Sequence, residues 1–170
     1  LFQSLASNPN FDAASLQFDP DLADAQVEQV RAWTEQAGRP WLVHADEQGP
    51  WQIGLTDQNA ADTRKRVLYD ALFSGGGVEF YFGYHPLPLG GDLSVEDFRT
   101  RAEMWSTASH ARAFVEGCLP FWDMAPSDAL VQGESQAFGG AECLAKAGEV
   151  YAIYFPRATD TGRLALQGAT

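Results

Sequence analysis

Between Phe11 and Phe18 apolar and polar residues alternate, Ala14, Leu16 and Phe18 against Ser15 and Gln17, the period of two that marks a half-buried strand. Asp19-Pro20-Asp21 then offers helix-start chemistry: a carboxylate cap, and a proline where its missing N–H costs nothing. Ala23, Val27, Val30, Trp33 and Ala37 recur at helical spacing until Gly38, which suits the left-handed turn that closes a helix. Pro40–Ala45 is a second strand candidate, ending at Asp46-Glu47-Gln48-Gly49-Pro50. A second helix is predicted over about 61–73, with Val67, Leu68, Ala71 and Leu72 as its stripe. Ser74-Gly75-Gly76-Gly77 breaks it as a helix-to-strand turn, and Val78–Tyr84 reads as a third strand with aromatic residues at alternate positions. Ser94-Val95-Glu96-Asp97 starts a third helix that Phe98, Ala102, Trp105, Ser109, Arg112 and Val115 carry to about Gly117. After Leu119–Met124 and a turn at Pro126, the runs Glu142–Ala147, Glu149–Phe155 and Arg163–Leu166 are short and alternating, split by Gly148 and Thr161-Gly162, which is the pattern of an antiparallel sheet.

Strand and helix taken three times over is the order of a parallel barrel or of a doubly wound sheet. Three such units cannot close a (β/α)₈ barrel, which takes about 250 residues. Either the other strands lie on a preceding segment, or this is a smaller open α/β sheet. The expected organisation is an α/β domain over residues 1–132 and the beginning of a β-rich domain over 133–170, with the boundary near Gly133.

Composition narrows the partners. Among 170 residues, 45% are hydrophobic and 12% aromatic, enough for a packed core. Eleven Lys and Arg against 23 Asp and Glu give a net charge of −12, which repels a phosphate backbone and an anionic membrane alike. No apolar run approaches the ~18 residues of a membrane span. The chain begins at Leu1 with no basic start and apolar stretch before the first strand, so the true N-terminus, with any signal peptide, is expected to be missing. Cys118 and Cys143 fit no metal spacing and are expected to be two buried thiols rather than a disulfide.

In parallel α/β folds reactive residues gather at the C-terminal ends of strands. The first end offers Gln17 and Asp19; the second His44, Asp46, Glu47 and Gln48, with Trp51 nearby; the third Tyr81, Tyr84 and His85, with Glu79 inside the strand. Two adjacent carboxylates beside an imidazole could bind a sugar or do acid–base work; they could equally be solvated carboxylates capping the Gly49-Pro50 turn. His44 reads either as a satisfied core histidine or as a site residue. Trp51, Tyr81 and Tyr84 offer flat apolar faces suited to the C–H side of a pyranose, or, for the two tyrosines, to the core. No nucleophile elbow, H-E-x-x-H helix or phosphate loop occurs.

Arg39-Pro40-Trp41-Leu42-Val43 leading into Asp46-Glu47-Gln48-Gly49-Pro50 resembles the strand-seven signature of apiosidase-like bacterial glycoside hydrolases. So do Gly76-Gly77-Val78-Glu79-Phe80-Tyr81-Phe82-Gly83-Tyr84, Glu96-Asp97-Phe98-Arg99 and Leu119-Pro120-Phe121-Trp122-Asp123-Met124. Cys143-Leu144-Ala145-Lys146 through Gly148-Glu149-Val150-Tyr151 is similar to the first hairpin of the C-terminal module, named for collagen binding, that such barrels carry. The resemblance, over residues 11–156, implies the C-terminal portion of a TIM barrel, strands six to eight, followed by the start of an antiparallel β-sandwich domain. It implies a retaining glycosidase that acts on a plant or microbial poly- or oligosaccharide. Glu47 would be the nucleophile, in the spacing Glu47-Gln48-Gly49, and Asp46, His44, Gln17, Trp51, Tyr81 and Tyr84 would bind substrate. The acid/base would sit on strand four, in the N-terminal half of the same barrel, so this chain alone would be inactive. Neither a cofactor nor a metal is expected, nor nucleic acid or a membrane as partner. Secretion, or a place in the periplasm or at the cell surface, is implied. A catalytically silent carbohydrate-binding barrel and an extracellular matrix-binding protein are the alternatives. Plain alternation along strand seven would put Leu42, His44 and Asp46 on one face; Glu47 joins that face only if the strand ends or bulges at Asp46.

Overall fold

A computed structural model describes residues 1–48, 60–80 and 102–166, with Glu47 and Gln48 described by their backbone alone. Among the described residues it is a mixed α/β fold with helices, three small sheets and no closed barrel. After a single helical turn α1 (Phe2–Leu5), strand β1 (Ala13–Phe18) alternates strictly, burying Ala14, Leu16 and Phe18 and exposing Ala13, Ser15 and Gln17. Asp19 accepts a bond from the Asp21 N–H and caps the 3₁₀ turn Pro20–Leu22, as its sequence predicts. Helix α2 (Ala23–Gln36) buries Ala23, Val27, Val30 and Thr34. Gly38 closes it at φ 72°, which lets the Arg39 N–H reach back to the Thr34 carbonyl at 2.9 Å. The Thr34 hydroxyl accepts from the Trp41 N–H at 3.2 Å and donates to the Arg31 carbonyl, fastening the end of α2 to the start of β2 (Leu42–Gln48).

The second helix is not regular. Its α-helical ends, α3 (Ala60–Thr63) and α4 (Tyr69–Phe73), flank a π-helical stretch at Arg64–Leu68. The widened turn carries Arg66 onto Asp21, a short ion pair between this helix and the loop after β1. Gly75, at φ 77°, turns the chain into β3 (Gly77–Val78), and the Arg31 guanidinium donates to its carbonyl at 2.8 Å. Gly76 sits where a Cβ would lie 2.8 Å from Val27 and 3.1 Å from the carbonyls of Ala71 and Val43, so only glycine lets helix and sheet close this tightly.

The three strands are adjacent and parallel in the order β1-β2-β3, as the alternating grammar predicts. One face packs Ala14, Leu16, Phe18, Val43 and Ala45 against Val27, Val30, Val67 and Ala71 of the helices. The other carries Ser15, Gln17, Leu42, 69% exposed, and His44. Of the third strand, expected over 78–84, the described part is Gly77–Val78, continued by the Glu79 N–H donating to the Ala45 carbonyl at 2.9 Å; Tyr81 and Tyr84 lie outside the described residues.

Helix α5 (Ala102–Cys118) follows, with Met104 and Ala111 buried. Beyond it lie two small antiparallel sheets. One has the order β4-β6-β7, from Ala125–Pro126, Glu142–Lys146 and Val150–Tyr154. The other pairs β5 (Val131–Gln132) with β8 (Arg163–Leu164). The hairpin predicted from Gly148 is present, whereas the run at Arg163 pairs back with Val131–Gln132 rather than with the hairpin. Both sheets draw strands from either side of the boundary expected near Gly133. Helix α4 packs on β6 and β7 through Phe73, beside Leu119, Leu144 and Ala152, and Tyr69 stacks on Tyr154 at 4.1 Å, while Ala71 of the same helix packs in the separate core of the parallel sheet. Cys143 is buried and Cys118 exposed, both free, which corrects the expectation of two buried thiols.

Candidate functional site

The polar face of the parallel sheet is built by register. Ser15 stands beside His44 and Leu16 beside Ala45; then the register slips, and Gln17 stands beside Glu47. Asp46 is the extra residue of a β-bulge. Without the slip Glu47, two residues after Ala45, would share Ala45's helix-covered face, because strand side chains alternate. With it, the backbone of Glu47 takes the ladder position opposite Gln17, a residue of the open face. A bulge at Asp46 is what the sequence Gln48-Gly49-Pro50 leads one to expect, while Gln48 itself still pairs with Phe18.

His44 and Asp46 are two apart and share the open face, joined by Glu79 from the neighbouring strand. The pairing His44 with Gly77 and Ala45 with Val78 brings Glu79 next to Asp46. One donor atom each from His44, Asp46 and Glu79 lies within 4.8 Å of the other two. His44 Nδ1 is 3.5 Å from Glu79 Oε1. The Ser15 hydroxyl donates to Asp46 Oδ2 in a short hydrogen bond. The imidazole lies flat on Gly77, where a Cβ would stand 2.8 Å from Cε1 and 2.9 Å from Nε2, so the glycine fixes the ring by giving it room. Alongside, a cleft of about 630 Å³ runs between β3, α5 and the 3₁₀ turn Phe121–Asp123, lined among others by His44, Gly77, Val78, Arg112 and Trp122.

Of the predicted site residues, Gln17, His44, Asp46 and the Glu47 backbone thus come together at adjacent strand ends. Trp51, Tyr81 and Tyr84 lie outside the described residues. Ser15 and Glu79 also belong to the cluster, Glu79 from inside the third strand, though neither is among the residues expected to bind substrate. Ser15 reads as one polar position of an alternating strand, and Glu79 acquires its neighbours only from the register between β2 and β3.

A second group of carboxyls lies elsewhere, where α4 meets the antiparallel sheet. Asp70 and Glu142 are 3% and 2% exposed, and Asp70 Oδ1 and Glu142 Oε2 have no hydrogen-bond partner among the described residues. Burial, with Asp24 nearby, pushes the Asp70 carboxyl up to about 8. Burial, with Asp70 and Asp128 nearby, pushes Glu142 up to about 10. Asp128, also raised by burial, stays at about 6 because its carboxylate accepts the Cys143 N–H at 2.5 Å. Alternation along Glu142–Ala147 does not distinguish such a buried acid from a solvated one.

Comparison with protein-family models, curated proteins and solved structures returns no match. Among the described residues no helix is long and apolar enough to cross a membrane.

Proposed function

We propose that the protein is a glycoside hydrolase of the retaining type, with Glu47 as nucleophile. The observation that carries this reading is the bulge at Asp46, which gives Glu47 the register position of the open, polar face at the C-terminal end of a parallel strand. In that role the Glu47 carboxylate attacks the anomeric carbon while the glycosidic C–O bond breaks. A carboxylic acid opposite, supplied by the N-terminal half of the barrel about 5–5.5 Å away, gives its proton to the leaving oxygen. Water then hydrolyses the glycosyl ester, its proton passing to the same residue. Gln17, His44 and Asp46 line the sugar site and hold hydroxyls. Trp51, Tyr81 and Tyr84 supply the stacking faces, and the substrate is a plant or microbial poly- or oligosaccharide met outside the cell.

The test is covalent. A 2-deoxy-2-fluoro glycoside with a good leaving group, screened across sugar types on the protein carrying the whole barrel, should leave a glycosyl adduct on the peptide that contains Glu47. Glu47→Gln should abolish labelling and lower turnover by at least ~10³-fold with its circular dichroism unchanged. An adduct on Asp46 would transfer the role to that residue. Sugar binding with neither adduct nor turnover would replace the enzyme by a carbohydrate-binding barrel.

A further inference from the structure

The cluster on the open face has a composition that sugar binding does not require. His44 Nδ1 is buried and makes no hydrogen bond among the described residues, and its approach to Glu79 Oε1 at 3.5 Å is too long for one. A tetrahedron whose metal–ligand bonds are about 2.0–2.2 Å has edges of roughly 3.4 Å, so that separation already suits two ligands of one metal ion. The third donor, from Asp46, lies within the 4.8 Å that encloses all three, a gap that small side-chain rotations close.

We propose that His44, Asp46 and Glu79 bind one first-row divalent cation, zinc or manganese. One imidazole nitrogen with two carboxylates is a borderline donor set, which favours these ions over calcium, whose sites are built of oxygen alone. The backbone enforces the arrangement. Two ligands two apart on one strand share a face, and the register delivers the third from the adjacent strand. Ser15 holds the Asp46 carboxylate and Gly77 seats the His44 ring, the outer support that orients metal ligands. The net charge of −12 favours cation capture. Three protein ligands leave coordination positions open to water or to the hydroxyls of a bound ligand. The site stands without the glycosidase reading, because it concerns binding and not turnover.

Titration calorimetry of chelator-stripped protein with zinc chloride and with manganese chloride near neutral pH tests it. One equivalent should bind. His44→Ala and Glu79→Gln should each weaken binding by at least ~10-fold, the lower bound set by loss of mere outer-shell support. Glu79 is exposed, so its amide variant keeps the fold even if His44→Ala does not, and His110→Ala controls for adventitious histidine binding. Cobalt in the same site should show the intense visible bands of a tetrahedral ion, lost in Glu79→Gln. The proposal is overturned if neither zinc nor manganese binds, if Glu79→Gln leaves the affinity unchanged, if His110→Ala removes it, or if calcium binds more tightly than both.

Discussion

Replacing Glu142 by glutamine should stabilise the protein at neutral pH, and the gain should vanish in acid. In the folded chain Glu142 is 2% exposed on β6, crowded by Asp70, Asp128, Asp24 and Glu28, and its carboxyl rises from an ordinary 4.5 to about 10. At pH 7 folding therefore requires protonation of a group that is ionised in the unfolded chain. The cost is about 1.4 kcal/mol for each pH unit above the unfolded value, so on the order of 3 kcal/mol at pH 7. It depends on the unfolded value and the pH alone once the folded value exceeds 7. For an acid whose folded value is raised, this contribution to stability is fully present below the unfolded value and is lost as pH rises towards the folded one. Asp70, raised from 3.8 to about 8, behaves in the same sense, with Asp24 and Asp128 as acidic neighbours and Arg66 as the opposing cation.

Glutamine is isosteric and carries no proton to acquire. Glu142→Gln should raise the unfolding free energy by up to ~3 kcal/mol at pH 7 and by nothing near pH 4.5. Asp128 and Glu28, both raised chiefly by burial, push the wild-type profile in the same direction, so the unfolding free energy should fall between pH 5 and pH 8. Urea titrations of both proteins at pH 4.5, 5.5, 7 and 8, with unchanged m values, measure this directly. A gain independent of pH, or a wild-type stability that climbs between pH 5 and pH 8, would show that Glu142 is ionised in the folded chain and would refute the reasoning.

Two more predictions concern packing. Gly76→Ala puts a methyl 2.8 Å from Val27 Cγ1 and 3.1 Å from two backbone carbonyls, and should cost about 1–3 kcal/mol in urea unfolding, because backbone on both sides has to shift. Cys118 is exposed and Cys143 buried with its thiol pushed up to about 11, so a thiol reagent at pH 8 should label Cys118 at once and Cys143 only on unfolding; equal rates would contradict the packing of β6.

How much of this is legible in the sequence depends on the range of the interaction involved. The alternation of Ala14, Leu16 and Phe18, the cap at Asp19, the stop at Gly38 and the hairpin at Gly148 are local, and each appears where its chemistry puts it. The π-helical stretch at Arg64–Leu68 is not legible, since its residues keep an ordinary helical stripe and no local signal marks the wider turn. Strand pairing is partly legible. Glycine and proline after Gln48 made a slip at Asp46 a reasonable expectation, whereas Glu79 meets His44 through a register that no local pattern encodes. Asp70 and Glu142 were invisible because a carboxyl is normally a surface signal, and only tertiary packing of α4 on β6 removes both from water.

The two carboxyl-rich places respond to acid in opposite ways, and this separates a structural role from a functional one. At Asp70 and Glu142 burial and acidic neighbours outweigh what Arg66 offers Asp70, so both carboxyls are raised and the fold gains from low pH. On the open face His44 and Glu79 keep 40% and 69% of their side-chain surface exposed, and Ser15 and the imidazole offer partners for charge. A metal-binding carboxylate must be ionised and a metal-binding imidazole neutral, so metal binding on this face weakens in acid. Low pH therefore favours the fold while it opposes metal binding on the open face. Glu142→Gln lies away from the site, on the antiparallel sheet, and should flatten the stability profile while leaving the pH dependence of zinc or manganese binding where it was. Coupled movement of both profiles in that variant would mean that the buried pair and the open face belong to one electrostatic unit, and the separation drawn between them would fail.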